Sequence, residues 1–209
     1  MKQHWLITSG PTQAPLDAFR ILTNRSTGTF GTLLAKKLLR LGQDVTMIYG
    51  EGSKTPTVHR ALKLICIRTN KELELALKKE LKNKYHAIIH AAAILDFISV
   101  KVPGKKVKTK NGNWSITLTP TPKIINKIKR WSPQTQLVAF KLEFGFSKSK
   151  LLSEARRVQK QCRADFMVAN ELEEGADPKH KSYLLDRRGN IIGNAKGKEA
   201  LVTQLVRIL

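Results

Sequence analysis

Residue types that build covalent or metal-held frameworks are scarce in this sequence. Its two cysteines, Cys66 and Cys162, have no metal-ligand spacing and are too few for a disulfide framework. The five histidines are scattered and form neither a metal-binding pattern nor part of a Ser/His/Asp triad. These absences exclude a disulfide-stapled scaffold and predict two ordinary reduced thiols. They also leave the ligands of any metal ion unknown.

Long apolar runs are absent as well. No stretch approaches the roughly 20 residues of a membrane span, and the chain begins with a predicted strand rather than with the charged and apolar regions of a signal peptide. We therefore expect a cytoplasmic protein without a membrane partner. At 209 residues with 41% hydrophobic content, the chain is long enough for one core and short for two. This predicts a single domain over residues 1–209.

Acidic residues are few, since 16 Asp and Glu oppose 38 Lys and Arg and the formal net charge is +22. Such a charge is typical of a nucleic-acid-binding module, or of an enzyme for phosphorylated substrates in a generally basic protein. The basic residues are spread over nearly every predicted helix, as on solvated faces. The one dense cluster, Lys101 to Lys110, lacks the interleaved aromatic residues of a single-strand-binding surface. The distribution favours the enzyme and predicts only weak, salt-sensitive binding to nucleic acid.

Apolar runs and amphipathic stretches alternate along the chain. The pattern predicts strands over 4–9, 44–49, 62–67, 86–92, 137–140 and 165–170, and helices over 28–41, 70–83, 147–162 and 196–208, with a further helical stretch after Pro122. This βαβ order predicts a Rossmann-like α/β fold, a three-layer sandwich with a mostly parallel sheet. Late in the chain, Tyr183–Asp186 and Ile191–Ile192 are predicted to pair as an antiparallel hairpin.

The segment after the fourth predicted strand breaks this order. Val102-Pro-Gly104 and Asn111-Gly-Asn113 mark a loop and a hairpin turn beside a predicted strand, Trp114–Leu118, and we interpret the whole as a flap. Lys106 and Lys108 alternate in the flap, so in an extended chain both point to one face, as a clamp over a triphosphate requires. The alternative is that this charge run is merely solvated.

The loop between the first strand and its helix is long and polar, and it lacks the Gly-x-Gly-x-x-Gly fingerprint of dinucleotide-binding proteins. It carries a guanidinium (Arg20), a carboxamide (Asn24), a hydroxyl (Ser26) and a glycine at the helix start (Gly28). Because the N-terminus of a helix attracts anions, the loop is a candidate anion-binding segment. The alternative is that Arg20 and Asn24 stabilise the loop itself, Asn24 through an Asx turn.

Ligands of parallel sheets bind beyond the carboxyl ends of the strands, so residues at those ends are candidates for a nucleotide site. They are Gly10 after the first strand, Ala92, Ala93 and Asp96 after the fourth, Lys141 after the fifth, and Asn170 at the end of the sixth. Small residues let a base or ribose approach the backbone, and a carboxylate suits a ribose hydroxyl or a metal ion. The alternatives are close helix packing by the alanines and a capping role for Asp96.

Ordered motifs along almost the whole chain resemble one family. These motifs are Ile7–Thr12, Pro15–Asp17, Arg20–Gly28, His90–Ala93 with Asp96–Phe97, Lys106–Lys108, Phe140–Glu143 and Val168–Asn170. Together they resemble phosphopantothenoylcysteine synthetase. The Arg-x-x-x-Asn-x-Ser-x-Gly motif is the specific one, and the short pieces add weight through their order. In many bacteria this synthetase is the C-terminal half of a fusion with a flavin decarboxylase, and the chain is similar to the synthetase half alone.

The resemblance implies a ligase of coenzyme A biosynthesis. Such an enzyme activates the carboxylate of 4'-phosphopantothenate with CTP or ATP and Mg²⁺, releases pyrophosphate, and passes the acyl group from an acyl-nucleotide to the amine of cysteine. The first step needs charge neutralisation more than a protein nucleophile, in keeping with the missing triad. The resemblance further implies a homodimer, no flavin bound by this chain, and a separate phosphopantothenoylcysteine decarboxylase as a candidate partner.

The resemblance also assigns roles to residues. Asn24 corresponds to the residue that contacts the acyl-nucleotide and the phosphopantothenate carbonyl, Arg20 to its loop partner, and Lys106 or Lys108 to the flap lysine. The other candidates, which fall in the nucleotide-binding motifs, are Gly10, Ser26, Gly28, Ala92, Ala93, Asp96, Phe140, Lys141 and Asn170.

Departures from the family pattern leave the choice of nucleotide open. The common Gly-Gly is Gly10-Pro11 here, and Thr121-Pro-Lys-Ile124 replaces Asn-Pro-Asp-Ile. Cys162 stands where bacterial CTP-using members tend to have a lysine, but Lys160 and Arg163 lie nearby in the sequence. Pro122-Lys123 and Phe140–Glu143 are closer to the ATP-using eukaryotic branch, and we favour CTP only slightly. The runner-up is a nucleotide-cofactor or flavin reductase on the same sheet, although a Tyr-x-x-x-Lys pair is absent too.

Overall fold

The strands and helices largely follow the predicted order. In the computed structural model, which describes residues 2–172 and 181–209, the strands are β1 (His4–Ser9), β2 (Gln13–Pro15), β3 (Ile21–Thr23), β4 (Asp44–Gly50), β5 (Leu62–Ile67), β6 (Ala87–His90), β7 (Phe97–Ser99), β8 (Leu118–Pro120), β9 (Gln136–Phe144), β10 (Phe166–Leu172), β11 (Lys181–Leu185) and β12 (Ile191–Lys196). The helices are α1 (Thr29–Arg40), α2 (Asn70–Glu80), α3 (Ile125–Trp131), α4 (Lys148–Cys162) and α5 (Lys198–Ile208).

Eight strands form one sheet in the order β12-β11-β10-β9-β6-β1-β4-β5. The six from β10 to β5 are parallel neighbours, and β11 and β12 extend the sheet as an antiparallel hairpin. Central strands such as β1 are buried along nearly their whole length, which is why they appear in the sequence as apolar runs without alternation. The predicted α/β fold, with its mostly parallel sheet and late hairpin, is confirmed.

Alternate residues of the strands enter two apolar cores, one on each face of the sheet. Leu6 and Ile88 pack with α2, α3 and α4 on one face, which we call the α4 face. Ile7 and Ile89 pack with α1 and α5 on the other, which we call the α1 face. Two helical layers therefore enclose the sheet, and the carboxyl ends of the parallel strands meet at one edge, the carboxyl edge.

Local sequence signals set the helix ends. Gly28 precedes α1 with φ of 70°, a left-handed conformation that glycine adopts without strain. At the start of α2, the hydroxyl of the N-cap Thr69 accepts the N–H of Glu72, while the Glu72 carboxylate accepts the N–H of Arg68, one residue before the cap, in an arrangement similar to a capping box. Arg163 ends α4 in the left-handed region with φ of 59°.

The flap differs from the sequence prediction. β7 and β8 pair antiparallel at its base, with Phe97 opposite Pro120, and residues 100–117 form the loop between them. The predicted strand at Trp114–Leu118 is wrong, because only Leu118 belongs to a strand. The ring of Trp114 instead packs beside Arg20, with the guanidinium carbon 5.5 Å from the ring centroid.

One hairpin was not predicted from the sequence, and one strand is longer than predicted. β2 and β3 form a short antiparallel hairpin inside the loop that follows β1, and β9 continues to Phe144 instead of ending near Phe140. None of the helices within residues 2–172 and 181–209 is long and apolar enough to cross a membrane.

Candidate functional site

The start of α1 lies at the carboxyl edge beside the end of β1. The N–H of Thr32 donates to the carbonyl of Gly28 at 3.1 Å, so the helical ladder begins at this glycine, and the amides of residues 29–31 have no acceptor within the helix. No acidic residue occupies the first turn, and the half-buried Ser26 lies just ahead of it. The positive end of the helix dipole is therefore not neutralised by a side chain of that turn, as the predicted anion site requires.

Glycines let two loops approach closely at this edge. A Cβ on Gly10, whose φ is 75°, would lie 1.8 Å from the Oγ of Ser53, and a Cβ on Gly28 would lie 2.8 Å from the Cβ of the same serine. Gly31 packs just as closely against Ser9, since a Cβ there would lie 2.3 Å from the Ser9 Oγ. A side chain at Gly10 or Gly28 would push the β1–α1 loop away from the loop after β4, and one at Gly31 would push α1 away from β1.

Asp17 joins the first loop to the flap. Its carboxylate accepts four hydrogen bonds: from the N–H groups of Phe19, Arg20 and Val107 and from the guanidinium of Arg20. The Arg20 guanidinium also donates to the carbonyl of Val107 at 3.3 Å. Burial alone would raise the pKa of Asp17, but these hydrogen bonds outweigh it and lower the pKa to about 2. The carboxylate is thus charged at neutral pH and fixes the flap on the loop.

Asn24 contacts the backbone that follows β6. Its side-chain N–H₂ donates to the carbonyls of Ala93 and Ile94 at 3.2 and 3.1 Å, although the residue is exposed. The turn carrying Ala92 and Ala93 is bound to the end of β1 as well, because Ala93 donates its N–H to the carbonyl of Gly10. The structure therefore brings four predicted site residues together: Gly10, Asn24, Ala92 and Ala93.

A polar cluster behind this turn was not singled out from the sequence. The hydroxyl of Thr12 donates to Asn70 Oδ1 at 2.6 Å and accepts the N–H of Leu95, while Asn70 and Thr121 both donate to the carbonyl of Leu95. Asn70 is the first residue of α2 and follows its N-cap, Thr69. A polar pair at the start of a helix was the only feature of the sequence that could have indicated this cluster. The cluster fixes the backbone just before Asp96.

The flap lysines lie on the exposed side of the segment that Asp17 binds. Val107 is half-buried, whereas its neighbours Lys106 and Lys108 are exposed, as the predicted alternation requires. The Nζ of Lys106 lies 4.7 Å from the ring centroid of Phe19, so a cation–π contact reinforces the link between flap and loop. Both ammonium groups remain accessible to an anionic ligand.

β9 divides its predicted site residues between the two faces of the sheet. Phe140 packs on the α1 face, with its ring centroid 5.0 Å from that of Phe30 in the first turn of α1. Asn170 of β10 lies on the same face by strand alternation, and its buried Oδ1 has no hydrogen-bond partner within the described residues. Lys141 lies on the opposite face and forms an ion pair with Glu143 at 2.7 Å. The structure does not bring Lys141 together with Phe140 and Asn170.

The carboxylates of this edge are paired with lysines. Asp96 is exposed and forms an ion pair with Lys123 at 2.5 Å, and Glu143 pairs with Lys141. Among residues 2–172 and 181–209 there is no group of three or more His, Cys, Asp and Glu side chains placed to hold a metal ion. Mg²⁺ usually takes one or two carboxylates and completes its shell with phosphate oxygens and water. Asp96 fits such a shared site; a metal cage built from protein ligands alone does not fit the described part of the chain.

His90 lies buried beneath the Ala92 turn. The hydroxyl of Thr8 contacts the Nδ1 of His90 at 2.9 Å and accepts the N–H of Ala92 at 3.3 Å. The Thr8 hydroxyl thus joins the ring of His90 to the turn that carries Ala92. Burial lowers the pKa of His90 to about 4, so the imidazole is neutral at physiological pH.

This buried histidine predicts acid destabilisation. The unfolded chain binds a proton at His90 below its ordinary pKa of 6.5, whereas the folded chain does so only near 4, so stability falls as the pH drops between these values. We expect the free energy of unfolding to lose about 3 kcal/mol from this group between neutral pH and pH about 4. Denaturant unfolding across this range, compared with His90→Asn, measures the loss.

The asparagine keeps an acceptor for Thr8 but does not titrate, so its profile should be flatter by that amount. His59→Asn, at an exposed histidine, is the matched control and should follow the parent protein. Parallel profiles for the parent and His90→Asn would contradict the assignment.

Comparisons with known proteins agree on one family. A family model described as the DNA/pantothenate metabolism flavoprotein C-terminal domain matches residues 1–209. The coenzyme A biosynthesis bifunctional protein CoaBC of Thermococcus kodakarensis is 35% identical over 185 residues, in an alignment that covers 87% of this chain and 44% of that protein. The chain spans about half the length of the curated relatives it matches.

Solved structures share the fold. The DNA/pantothenate metabolism flavoprotein of Streptococcus pneumoniae superposes with a TM-score of 0.89 at 25% identity, covering 99% of this chain and 97% of that one. A Cab2 variant in complex with phosphopantothenate-cysteine superposes with a TM-score of 0.78 at 19% identity, covering 99% of this chain and 86% of that one.

Proposed function

The chain belongs to the family of DNA/pantothenate metabolism flavoprotein C-terminal domains, and on this premise we propose that it is a phosphopantothenate–cysteine ligase. The reaction joins 4'-phosphopantothenate to the amine of L-cysteine with CTP or ATP as the co-substrate, and it belongs to coenzyme A biosynthesis. The match to the family over residues 1–209 supports a single domain for this activity. A separate phosphopantothenoylcysteine decarboxylase would consume the product.

One observation carries the proposal: Asp17 binds the flap to the loop that contains Asn24. Through the contacts of Asp17 and Arg20 with Val107, the flap lysines and the Arg-x-x-x-Asn-x-Ser-x-Gly motif form one wall beside the start of α1. A triphosphate needs cations and free backbone amides, and an acyl group needs a hydrogen-bond donor. This wall offers both kinds of group at one place.

The phosphates bind at the N-terminus of α1 with Lys106 and Lys108 above them. Their positive charge neutralises the α-phosphate, so the substrate carboxylate can attack phosphorus and pyrophosphate can leave. Mg²⁺ bound by the phosphates, with Asp96 as a protein ligand, would add further charge neutralisation. Phe140 and the buried acceptor of Asn170 suit the nucleoside, since one offers an apolar surface and the other a hydrogen-bond acceptor.

The second step uses Asn24. Both of its amide hydrogens donate to backbone carbonyls, at distances near the long end of the usual range. When the acyl-nucleotide binds, one of these hydrogens turns to the acyl carbonyl, while the cysteine amine attacks the acyl carbon. The nucleoside monophosphate then leaves, and the amide forms.

The test is pyrophosphate release from CTP and from ATP, each with and without 4'-phosphopantothenate, followed by addition of cysteine. We expect release that depends on phosphopantothenate with one nucleotide preferred, and amide only after cysteine is added. Failure of every nucleoside triphosphate to give such release would refute the ligase.

We also propose that the protein is a homodimer. β7, β8 and the first residue of the loop between them expose large apolar side chains: Phe97, Ile98, Val100 and Leu118, with exposed fractions of 50%, 36%, 55% and 42%. Contiguous apolar patches of this kind mark interaction surfaces. Trp114 and Ile116, which belong to the same flap, are half-buried.

Sedimentation should therefore show a dimer at micromolar concentration, and Val100→Asp should convert it to monomer because a carboxylate would be buried without a partner. Val58→Asp is the control, since Val58 is 95% exposed and outside the patch. A parent protein that sediments only as a monomer contradicts the proposal.

A further inference from the structure

A second basic surface lies at the edge of the sheet opposite to the carboxyl edge. α4 ends at Cys162, Arg163 follows it, and β10 begins three residues later. Because β11 is antiparallel and pairs its Leu185 with Met167, the turn over 186–190 lies beside the start of β10. Between this turn and the end of α4 is a cavity of about 340 Å³, which is the size of a small-molecule site.

Five of the side chains that line this cavity are cationic, and none is acidic. They are Arg156, Lys160, Arg163, Arg187 and Arg188. No aromatic residue lines the cavity, so it offers no surface on which a base could stack. A ligand would be held by its negative charge.

Hydrogen bonds hold the walls of the cavity in place. The Nε of Arg156 donates to the carbonyl of Gly189 at 2.9 Å, and Gln159 donates to the carbonyl of Asp186 at 2.7 Å. The Asp186 carboxylate accepts the N–H groups of Arg188 and Asn190, both at 2.8 Å. The turn is thus fixed against α4 before any ligand binds, which reduces the entropy lost on binding.

The nearby carboxylates neutralise only part of this charge. Asp165 forms ion pairs with Lys129 at 2.5 Å and with Arg187 at 3.4 Å, and the Asp186 carboxylate accepts backbone N–H groups of the turn. Within the described part of the chain, Arg156, Lys160, Arg163 and Arg188 form no ion pair with a carboxylate.

The C-terminal end of α4 explains only part of the cluster. Lys160 and Arg163 are well placed for the negative end of the helix dipole, but its last carbonyls already accept backbone N–H groups, from Arg163 to Lys160 at 3.3 Å and from Ala164 to Gln159 at 3.1 Å. Arg187 and Arg188 belong to a different element and gain little from the dipole. Five cations around one cavity repel each other, and an anion would relieve that repulsion.

We propose that this cavity is a second anion site, distinct from the ligase site, which binds a compact oligophosphate. The shared chemistry is a chain of two or three phosphates, whether free, as in inorganic pyrophosphate and triphosphate, or carried by a nucleotide. Arginine suits this ligand because its planar guanidinium donates two parallel hydrogen bonds to phosphate oxygens. The site lies at the other end of the parallel strands from Lys106 and Asn24, so its occupancy does not depend on the proposed reaction.

The test is calorimetric titration of the full chain with inorganic triphosphate near physiological salt. A Lys106→Ala, Lys108→Ala background weakens phosphate binding at the carboxyl edge, so the remaining heat reports the cavity. Into this background we would introduce Lys160→Gln and Arg163→Gly. Glutamine keeps helix propensity, and glycine suits the left-handed backbone of Arg163, whose φ is 59°, so the fold should melt at the same temperature or above.

We expect the cavity variant to bind inorganic triphosphate at least about tenfold more weakly, since each charge-assisted hydrogen bond to a phosphate contributes about this factor. Lys36→Gln with Arg40→Gln is the matched control: it removes two charges from exposed positions on α1, on the other face of the sheet. The control should bind as the background does.

Equal weakening by both pairs of substitutions would show general charge attraction and overturn the proposal, as would unchanged binding in the cavity variant. Titration with CTP and ATP distinguishes the two sources of the phosphate chain. Similar affinities for nucleotide and inorganic triphosphate support recognition of the phosphates alone. Binding of duplex DNA without binding of triphosphate would replace the oligophosphate site with a nucleic-acid surface.

Discussion

Replacement of Asn24 by alanine is expected to slow conversion of the acyl-nucleotide to the amide by roughly 10²- to 10³-fold, because one hydrogen bond to the developing charge on the acyl carbonyl is lost. Formation of the acyl-nucleotide and of pyrophosphate should continue, since neither depends on this side chain. The intermediate should therefore accumulate. Rapid quenching followed by chromatography of the labelled nucleotide measures both steps in one experiment.

The flap lysines should behave differently. Lys106→Ala or Lys108→Ala removes charge from the phosphates and should slow pyrophosphate release itself. Lys110→Ala is a matched control, because Lys110 is an exposed lysine of the same flap outside the Lys106–Lys108 segment. If Asn24→Ala and the two lysine variants all lose pyrophosphate release equally, and no intermediate can be trapped, then the two steps are not divided between loop and flap.

Replacement of Asp17 by alanine should have an effect of similar size without removing any group that touches the substrate. Three backbone N–H groups and the Arg20 guanidinium would lose their acceptor, and the flap would no longer be held on the loop. A displacement of about 1 Å at a reacting group costs roughly 10²-fold in rate. We expect a loss of about that size in kcat/KM for pyrophosphate release.

The conservative Asp17→Asn variant separates positioning from charge. It keeps one acceptor oxygen for the backbone but loses the ion pair with Arg20, so its activity should fall between those of the parent and of Asp17→Ala. Asp44→Ala removes a carboxylate of equal charge from a surface pair with Lys2 and should leave the rate unchanged. Full activity in Asp17→Ala would show that the flap is positioned by other contacts.

The parallel sheet was predictable because its strands are buried on both faces. The apolar runs of β1, β4 and β6 and the glycine before α1 each determine local structure within a few residues. The order of these elements then leaves few topologies. For the same reason, residues at the strand ends, such as Gly10 and Ala93, could be assigned to one edge before the structure was known.

The flap was not predictable in detail. β7 and β8 have three residues each, too few to show a period, and the contact that positions the flap joins Asp17 to Val107 across 90 residues of sequence. A single carboxylate within a loop has no pattern of its own. Lys141 illustrates a related limit: a strand that runs a few residues further than expected turns alternate side chains to opposite faces.

The basic cavity was also hidden in the sequence. The cations at Arg156, Lys160 and Arg163 have the spacing of a solvated helix face, and Arg187-Arg188 is an ordinary polar turn. Only the antiparallel return of β11 brings the two groups together. The sequence suggests that these cations are merely solvated. Their position around one cavity, which only the folded structure shows, suggests that they bind an anion instead.

The central claim is that a carboxylate is activated as an acyl-nucleotide, and the fate of the carboxylate oxygens tests it most directly. 4'-Phosphopantothenate with both carboxylate oxygens replaced by a heavy isotope would be incubated with cysteine, Mg²⁺ and the preferred nucleoside triphosphate, and the products analysed by mass spectrometry. We expect one heavy oxygen in the nucleoside monophosphate, the other in the amide, and none in pyrophosphate. Heavy oxygen in orthophosphate together with a nucleoside diphosphate would contradict the account.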